Sequence, residues 1–239
     1  MPNDWFQFKQ FTIQQKKSAM KVGTDGVLLG AWADVPFTGK ILDVGTGTGV
    51  IALMMAQRSE ANIFALEPEI NSFTEACENA EKSSWSERIH IINKRLQDFA
   101  KTSQENFDLI ISNPPFHGET IKSPDANRSL VRHSEALPMN ELLHEASSML
   151  TPEGSLALIY PYENTLLIEK LANENELFVQ RKTSVFPCPG KNFHRILYQL
   201  SKKKTKTEES ILMIETGIRH QYSPEYKELT QSFYSNFKY

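Results

Sequence analysis

Short apolar runs alternate with amphipathic stretches through the middle of the chain. The run KILDV at Lys40–Val44 predicts a buried strand, and residues 50–57 the helix after it. The same alternation predicts strands at 63–66, Ile89–Ile92, Phe107–Ser112 and 155–160. Helices are expected at 69–81, 140–150 and 163–173. Short, nearly unbroken apolar strands separated by helices indicate a parallel sheet covered on both faces. Residues 177–186 and 194–200 read as a further strand pair, joined by the turn PCPGKN. A connection that short makes the pair antiparallel. The last stretch, 223–237, carries Tyr226, Phe233, Tyr234 and Phe237, aromatics expected to pack on the body.

Composition narrows the class. The chain has 239 residues, 40% of them hydrophobic and 23% charged. That balance excludes collagen-like, mucin-like and wholly disordered chains. Two cysteines, Cys77 and Cys188, form no CxxC or Cys/His cluster, so a zinc site or disulfide framework is not expected. The opening MPNDWFQFKQ lacks an apolar segment of the signal-peptide kind, and the longest apolar run, 50–56, is far short of a membrane span. The expectation is a soluble, cytoplasmic protein without a metal, and a monomer.

Net charge is −3, but the charge is unevenly spread. Residues 181–206 hold eight basic side chains and no acid: Arg181, Lys182, Lys191, Arg195, Lys202, Lys203, Lys204 and Lys206. Residues 60–87 hold seven glutamates against one lysine. Such asymmetry suggests a nucleic-acid face beside an acidic one. The triplet Lys202–Lys203–Lys204 taken alone reads as a solvated hairpin end. Near the start, Lys9, Lys16, Lys17 and Lys21 interleave with Phe6, Phe8 and Phe11, and for Phe6 and Phe8 core and RNA-facing roles are equally open.

Between the first predicted strand and its helix lies Asp43-Val44-Gly45-Thr46-Gly47-Thr48-Gly49. Glycines there permit a tight turn and close approach of a ligand to the backbone. A dinucleotide fingerprint would need Gly or Ala where this chain has Val50. No GxxxxGK[ST] phosphate loop is present either. The loop resembles motif I of the class I S-adenosylmethionine-dependent methyltransferases, a Rossmann-like α/β fold whose mostly parallel, seven-stranded sheet has one late antiparallel strand. That resemblance implies S-adenosylmethionine as cofactor, held by Asp43, Gly45, Thr46 and Gly47. Glu67, 22 residues after Gly45, ends the second strand, where a carboxylate can take both ribose hydroxyls. By the same resemblance Asp98 would hold the adenine amino group and Phe99 would pack on the ring.

The fourth strand runs into Asn113-Pro114-Pro115-Phe116. Two prolines make a stiff corner, and ligands of such sheets bind at strand carboxyl ends. The corner resembles the (D/N/S)PP(Y/F/W) motif of amino-methyltransferases. The Asn113 side-chain oxygen and the Pro114 carbonyl can both accept hydrogen bonds from a planar NH₂. Phe116 can stack on a base, a contact worth roughly 1–3 kcal/mol. The motif marks adenine N6, cytosine N4 or a glutamine amide, and does not choose among them.

Four longer segments carry a closer likeness: FKQFTIQQKKSAMKVGTDGVLLGAWA, the NPPF corner, KSPDANRSLVRHSEALPMNELL and YSPEYKELTQSFY. Together they resemble the bacterial tRNA (adenine-N6)-methyltransferase family, active on one valine tRNA isoacceptor at the adenosine just 3′ of the anticodon, A37. The likeness implies that Lys21, Thr24 and Asp25 help cover the cofactor. It places Arg128 and Arg132 near the substrate mouth. Together with the charge pattern it gives Lys16, Lys17, Lys191, Arg195, Lys202 and Lys203 as expected contacts to a tRNA anticodon stem-loop. Phe116 departs from the Tyr common in this motif, and either ring can stack. The expected organisation is one methyltransferase domain over 1–239, with a covering segment 1–39, a core 40–200 and a hairpin end and helix over 201–239. A non-catalytic cofactor- or RNA-binding protein is the competing class. Intact glycines, Glu67 and Asn113 count against it.

Overall fold

A computed structural model of the protein describes residues 3–18, 20–115 and 137–234. Strand β3 (Lys40–Val44) lies at the middle of an eight-stranded sheet, with four of its five residues buried. It pairs in parallel with β4 (Asn62–Leu66) on one side and β6 (Phe107–Ser112) on the other. Beyond β4 lies β5 (Ile89–Ile92), and beyond β6 lies β7 (Leu150–Pro161). Next come β9 (Arg195–Ser201), β8 (Phe178–Phe186) and β10 (Glu208–Met213), giving the order β10-β8-β9-β7-β6-β3-β4-β5. Only β9 runs against its neighbours, antiparallel to both β7 and β8. The late antiparallel strand therefore stands where the sequence put it.

The eighth strand, β10, is one more than the seven expected. It pairs in parallel with β8 at the sheet edge, and of its six residues only Leu212 is buried. A strand with one inward residue leaves almost no alternation to read.

Five helices cover the faces: α1 (Thr24–Trp32), α2 (Val50–Arg58), α3 (Ile70–Glu81), α5 (Met139–Met149) and α6 (Thr165–Glu174). Two short ones, α4 (Leu96–Thr102) and α7 (Pro224–Thr230), complete the described helices. A small antiparallel pair, β1 (Trp5–Gln7) and β2 (Thr12–Gln14), precedes them. Phe8 and Phe11, at 0% and 6% exposure, join Tyr226 and Phe233 in the apolar cluster that holds α1 and α2 on the sheet. The Phe8 ring stacks on Phe11 at 4.6 Å and on Tyr234 at 5.9 Å. Of the two readings open for Phe8, the core one holds.

The opening segment is pinned by side chains that look like surface residues in the sequence. Buried Glu75 of α3 accepts the backbone N–H groups of Lys16, Lys17 and Ser18 at 2.7–2.9 Å. Asn79, one turn on, accepts the Gln14 amide and donates to the carbonyls of Gln14 and Thr48. Thr48 belongs to the glycine loop, so the segment is tied to that loop through α3.

Candidate active site

The sheet register brings the sequence-predicted residues to one level. Val44 sits opposite Leu66 on one side and Ser112 on the other, and Leu66 opposite Ile92. The residues that follow, Gly45, Glu67, Asn93 and Asn113, therefore all leave the carboxyl edge of adjacent strands together. The Ser112 hydroxyl donates to the Val44 carbonyl at 2.9 Å and clamps the start of the corner to the start of the loop.

The loop turns back at once. The amides of Gly45 and Thr46 both donate to the Leu66 carbonyl, at 3.0 and 2.9 Å. Gly45 and Gly47 have φ of +75° and +56°, a region where L side chains are strained. A Cβ built at either meets nothing within 4 Å. Protein packing therefore does not account for the bare backbone, which borders open space.

Glu67 is 8% exposed. Its Oε2 accepts the Gly47 amide and its Oε1 the Glu69 amide, each at 2.9 Å. Burial pushes its carboxyl above the ordinary range, and those two amides offset only part of the effect. Each oxygen keeps lone-pair capacity for a further donor. Asn93 braces the same stretch, donating to the carbonyls of Glu67 and Pro68. Ile70 opens α3 three residues after Glu67 and is 58% exposed. An exposed apolar side chain beside a ribose-type acid is suited to lie under a ring, a role sequence reasoning missed because Ile70 reads as an ordinary helix residue.

Asp43 lies fully buried beneath the loop. The Thr46 hydroxyl donates to its Oδ2 at 2.5 Å. Its Oδ1 is buried without a hydrogen-bond donor in line, although the nearby Ala52 amide favours its charge. Burial pushes its carboxyl up to about 7, against which the Thr46 and Ala52 groups work, and Glu67 adds repulsion. A buried acid of this kind makes the ligand-free fold weaken as pH rises. The folded form holds a proton that the unfolded chain releases near 4, so stability is full below that pH and falls until about 7. Over that window the loss is on the order of 4 kcal/mol at most. Asp43→Asn should abolish this part of the pH dependence. Thermal unfolding of the two proteins at pH 4.5 and 8 checks it: the variant's advantage must grow with pH. An advantage that is constant across the range would mean Asp43 is ionised throughout.

Asn113 is half-buried and Pro114 buried. Helix α1 leans on them: a Cβ built on Gly26 would stand 3.9 Å from Asn113 Nδ2 and 3.7 Å from Val50. Thr24 and Asp25 thus lie at the mouth. Lys21 points elsewhere, donating to the Asn3 carbonyl at 3.1 Å and lying 3.6 Å from Asp4. Phe116, Arg128 and Arg132 lie outside the described residues.

Asp98 is exposed on the first turn of α4, 3.9 Å from Lys101. Two expectations are corrected here. Phe99 is buried with its ring 6.3 Å from that of Phe107, inside the core. Leu96 and Phe99 take the inward side of that helix, which turns Asp98 to solvent. Arg195 is not an exposed cation either. It is 8% exposed, and its Nε donates to Asp25 Oδ2 at 2.8 Å. It fastens β9 to the start of α1, and through α1 it supports the Asn113 corner.

The basic block also comes apart in three dimensions. Arg181 lies 4.0 Å over the Trp32 ring and 3.1 Å from Asp34. Lys182 pairs with Glu169 and Glu209 at 3.1 and 3.2 Å. Lys202 donates to the Leu150 carbonyl, and Lys203 pairs with Glu153. Ser201 is opposite Ser155, midway along β7, and the chain then runs on toward its amino end, whereas Arg195 is opposite Pro161 at its carboxyl end. Lys202 and Lys203 therefore lie at the far end of the sheet from the corner, roughly 20 Å away by strand rise. Lys191, exposed in the β8–β9 turn, is on the corner's side. Lys16 and Lys17 are exposed, with Lys17 paired to Glu78 at 2.5 Å.

Sheet order, bare glycine loop, paired acids and a proline corner at one strand edge define a class I methyltransferase. A family model for the methyltransferase small domain matches residues 18–182. The chain is 45% identical to the tRNA1(Val) (adenine(37)-N6)-methyltransferase of Trichodesmium erythraeum, over 99% of this chain and 100% of that one. It is 42% identical to the protein of the same name from Bacteroides thetaiotaomicron, over the full length of both. The chain belongs to the tRNA1(Val) (adenine(37)-N6)-methyltransferase family. Solved structures agree on the fold. A predicted O-methyltransferase from Agrobacterium tumefaciens superposes with a TM-score of 0.67 at 20% identity, covering 87% of this chain and 96% of that one. TrmK of M. capricolum, in complex with S-adenosylhomocysteine, gives 0.54 at 12% identity over 79% and 72%.

Proposed function

We propose that the protein transfers a methyl group from S-adenosylmethionine to the exocyclic N6 of A37 in tRNA1(Val). The single observation that carries this reading is the placement of the Asn113–Pro114 corner beside the glycine loop and Glu67, at the ends of adjacent strands. When bound, S-adenosylmethionine supplies an electrophilic methyl on a sulfonium. Glu67 would hold its ribose, and Gly45, Thr46 and Gly47 would leave room for it. Open space over both glycines and the unused acceptor capacity of Glu67 fit such a cationic, hydroxyl-bearing group.

The adenine amine is conjugated with its ring and is a poor nucleophile. Asn113 Oδ1 and the Pro114 carbonyl act on it as two fixed acceptors. Held out of the ring plane, they favour a pyramidal nitrogen whose lone pair points at the methyl. Proton loss can follow transfer, so the site needs no strong general base. Its power lies in orientation and aimed dipoles. Arg195, through Asp25 and α1, keeps the corner in register with the loop.

Relatives of the same name, matched end to end, support tRNA as substrate. Among the described residues no helix is long and apolar enough to cross a membrane. A tRNA substrate supports a cytoplasmic enzyme, and a monomer would leave the sheet's carboxyl edge open to an anticodon stem-loop. Incubation with unmodified valine tRNA and S-adenosylmethionine, followed by nucleoside mass spectrometry, tests the reading. N6-methyladenosine at position 37 is expected. Methylation of a ring nitrogen or a ribose, or of nothing, would overturn it.

A further inference from the structure

A second feature stands on the same edge of the sheet. Tyr162 follows β7, the immediate neighbour of the strand that leads into Asn113. Its ring lies 4.8 Å from that of Phe193, and Phe193 lies 5.9 Å edge-on from Phe186. With Lys191, Asn192 and Ile211 these rings line an open depression of about 650 Å³. Phe193 is 37% exposed and Ile211 64%, so the floor is apolar and accessible. Lys191 is exposed at its margin, and among the described residues no acid pairs with it. Each other basic residue of the block that was placed above is engaged with an acid, a carbonyl or both.

We infer that this aromatic shelf is a second base-binding subsite, which stacks a nucleobase of the anticodon loop flanking the target adenosine while Lys191 takes the adjoining phosphate. The inference rests on the tRNA reading above. Every nucleobase offers a π-face, and aromatic side chains beside a cation are the general means of holding single-stranded nucleic acid. Asn192 adds amide donors and an acceptor that could read a base edge. An adenine splayed into the corner leaves its neighbours unstacked, and the shelf, one to four strands from β6, is where such a neighbour would come to rest. Chemistry favours RNA over a protein partner here, because the only cation of the rim without a partner among the described residues stands at the edge of exposed rings. His194, next in the chain, gives its carbonyl to the Tyr162 amide and leads directly into Arg195. The shelf is therefore fixed to the same β9–α1 link that supports the corner.

Phe193→Leu, Phe193→Trp, Lys191→Ala and the double variant Lys202→Glu/Lys203→Glu separate the possibilities. The probe is an anticodon stem-loop carrying 2-aminopurine beside the target adenosine. Phe193→Leu keeps apolar bulk but no ring face, and should weaken binding roughly 10-fold and remove the fluorescence quenching seen with the wild type. Phe193→Trp should restore both. Lys191→Ala should lower the slope of log affinity against log salt by about 0.7, one phosphate's share, while Phe193→Leu leaves that slope unchanged. The Lys202/Lys203 double variant should bind as wild type. Unchanged cofactor affinity in all four shows that the site still folds.

Equal quenching and affinity in wild type and Phe193→Leu would overturn the subsite, as would a larger loss from the Lys202/Lys203 pair. So would a wild-type dimer in sedimentation that Phe193→Leu dissolves without touching RNA affinity, since the shelf would then serve a second copy of the chain. A wild-type enzyme that leaves tRNA unmethylated would instead remove the reading beneath the inference, which is a different and separately visible failure.

Discussion

Glu67→Ala is expected to weaken cofactor binding by roughly 10²–10⁴-fold. Two hydroxyl donors to one charged acceptor are at stake, each worth about 1.5–3 kcal/mol. The carboxylate also organises the loop, because its two oxygens hold the amides of Gly47 and Glu69. Alanine leaves both without an acceptor. Glutamine is no rescue: with one oxygen in place of two, it must turn its NH₂ toward one of those N–H groups. Glu67→Gln should therefore bind almost as poorly as the alanine variant, against the usual expectation for an isosteric change. The ligand-free fold should respond far less. Burial works against this carboxylate, so its removal costs little thermal stability. Titration calorimetry measures the first effect, and the rise in Tm on adding S-adenosylmethionine measures it independently. Wild-type affinity in Glu67→Ala would take Glu67 out of the site.

How much of this was readable beforehand varies with the kind of residue. The buried strands were legible because each is a short run of apolar side chains, several with a glycine or proline signal at the end. Phe107–Ser112, followed by Asn113-Pro114-Pro115, is the clearest. The start of β7 was not. The strand was expected from 155, yet it begins at Leu150 and takes up 151–154 in a register shift opposite Phe107 and Leu109. Pairing with the neighbouring strand extends it beyond its apolar run.

The site shows the same division. Glycines and Glu67 were legible because φ and ribose geometry restrict which residues can serve. Charges were not, because a count along the chain cannot tell an outward lysine from an inward arginine. Arg195 and Lys191 are four residues apart in one basic block, yet one is bound to Asp25 inside the fold and the other is exposed at the rim. Glu75 and Asn79 reverse the mistake. They lie in an acidic stretch that reads as solvated, and they hold the opening segment to α3 from within. Polar residues buried against backbone amides leave no periodic trace, and only the folded chain reveals them.

The second large effect concerns turnover. Asn113→Ala should lower kcat by roughly 10²–10³ while changing RNA affinity far less. The bond from the target amine to Asn113 Oδ1 strengthens as the nitrogen becomes tetrahedral, so it stabilises the transition state more than the bound substrate. Deleting one aimed polar group of this kind costs about that much elsewhere. Because α1 packs its Gly26 near this side chain, truncation also opens a small void that water could enter. Asn113→Asp tests that distinction. It keeps the volume and an acceptor oxygen, and aspartate is an accepted first residue of the motif, so it should retain more activity than alanine. If lost volume were the whole defect, Asn113→Leu would recover turnover and Asn113→Asp would gain nothing further. Single-turnover rates with saturating cofactor and anticodon stem-loop RNA separate chemistry from binding. Equal losses in kcat and in RNA affinity would mean that Asn113 only holds the substrate, and an alanine variant with wild-type kcat would end the proposal that the corner activates the amine.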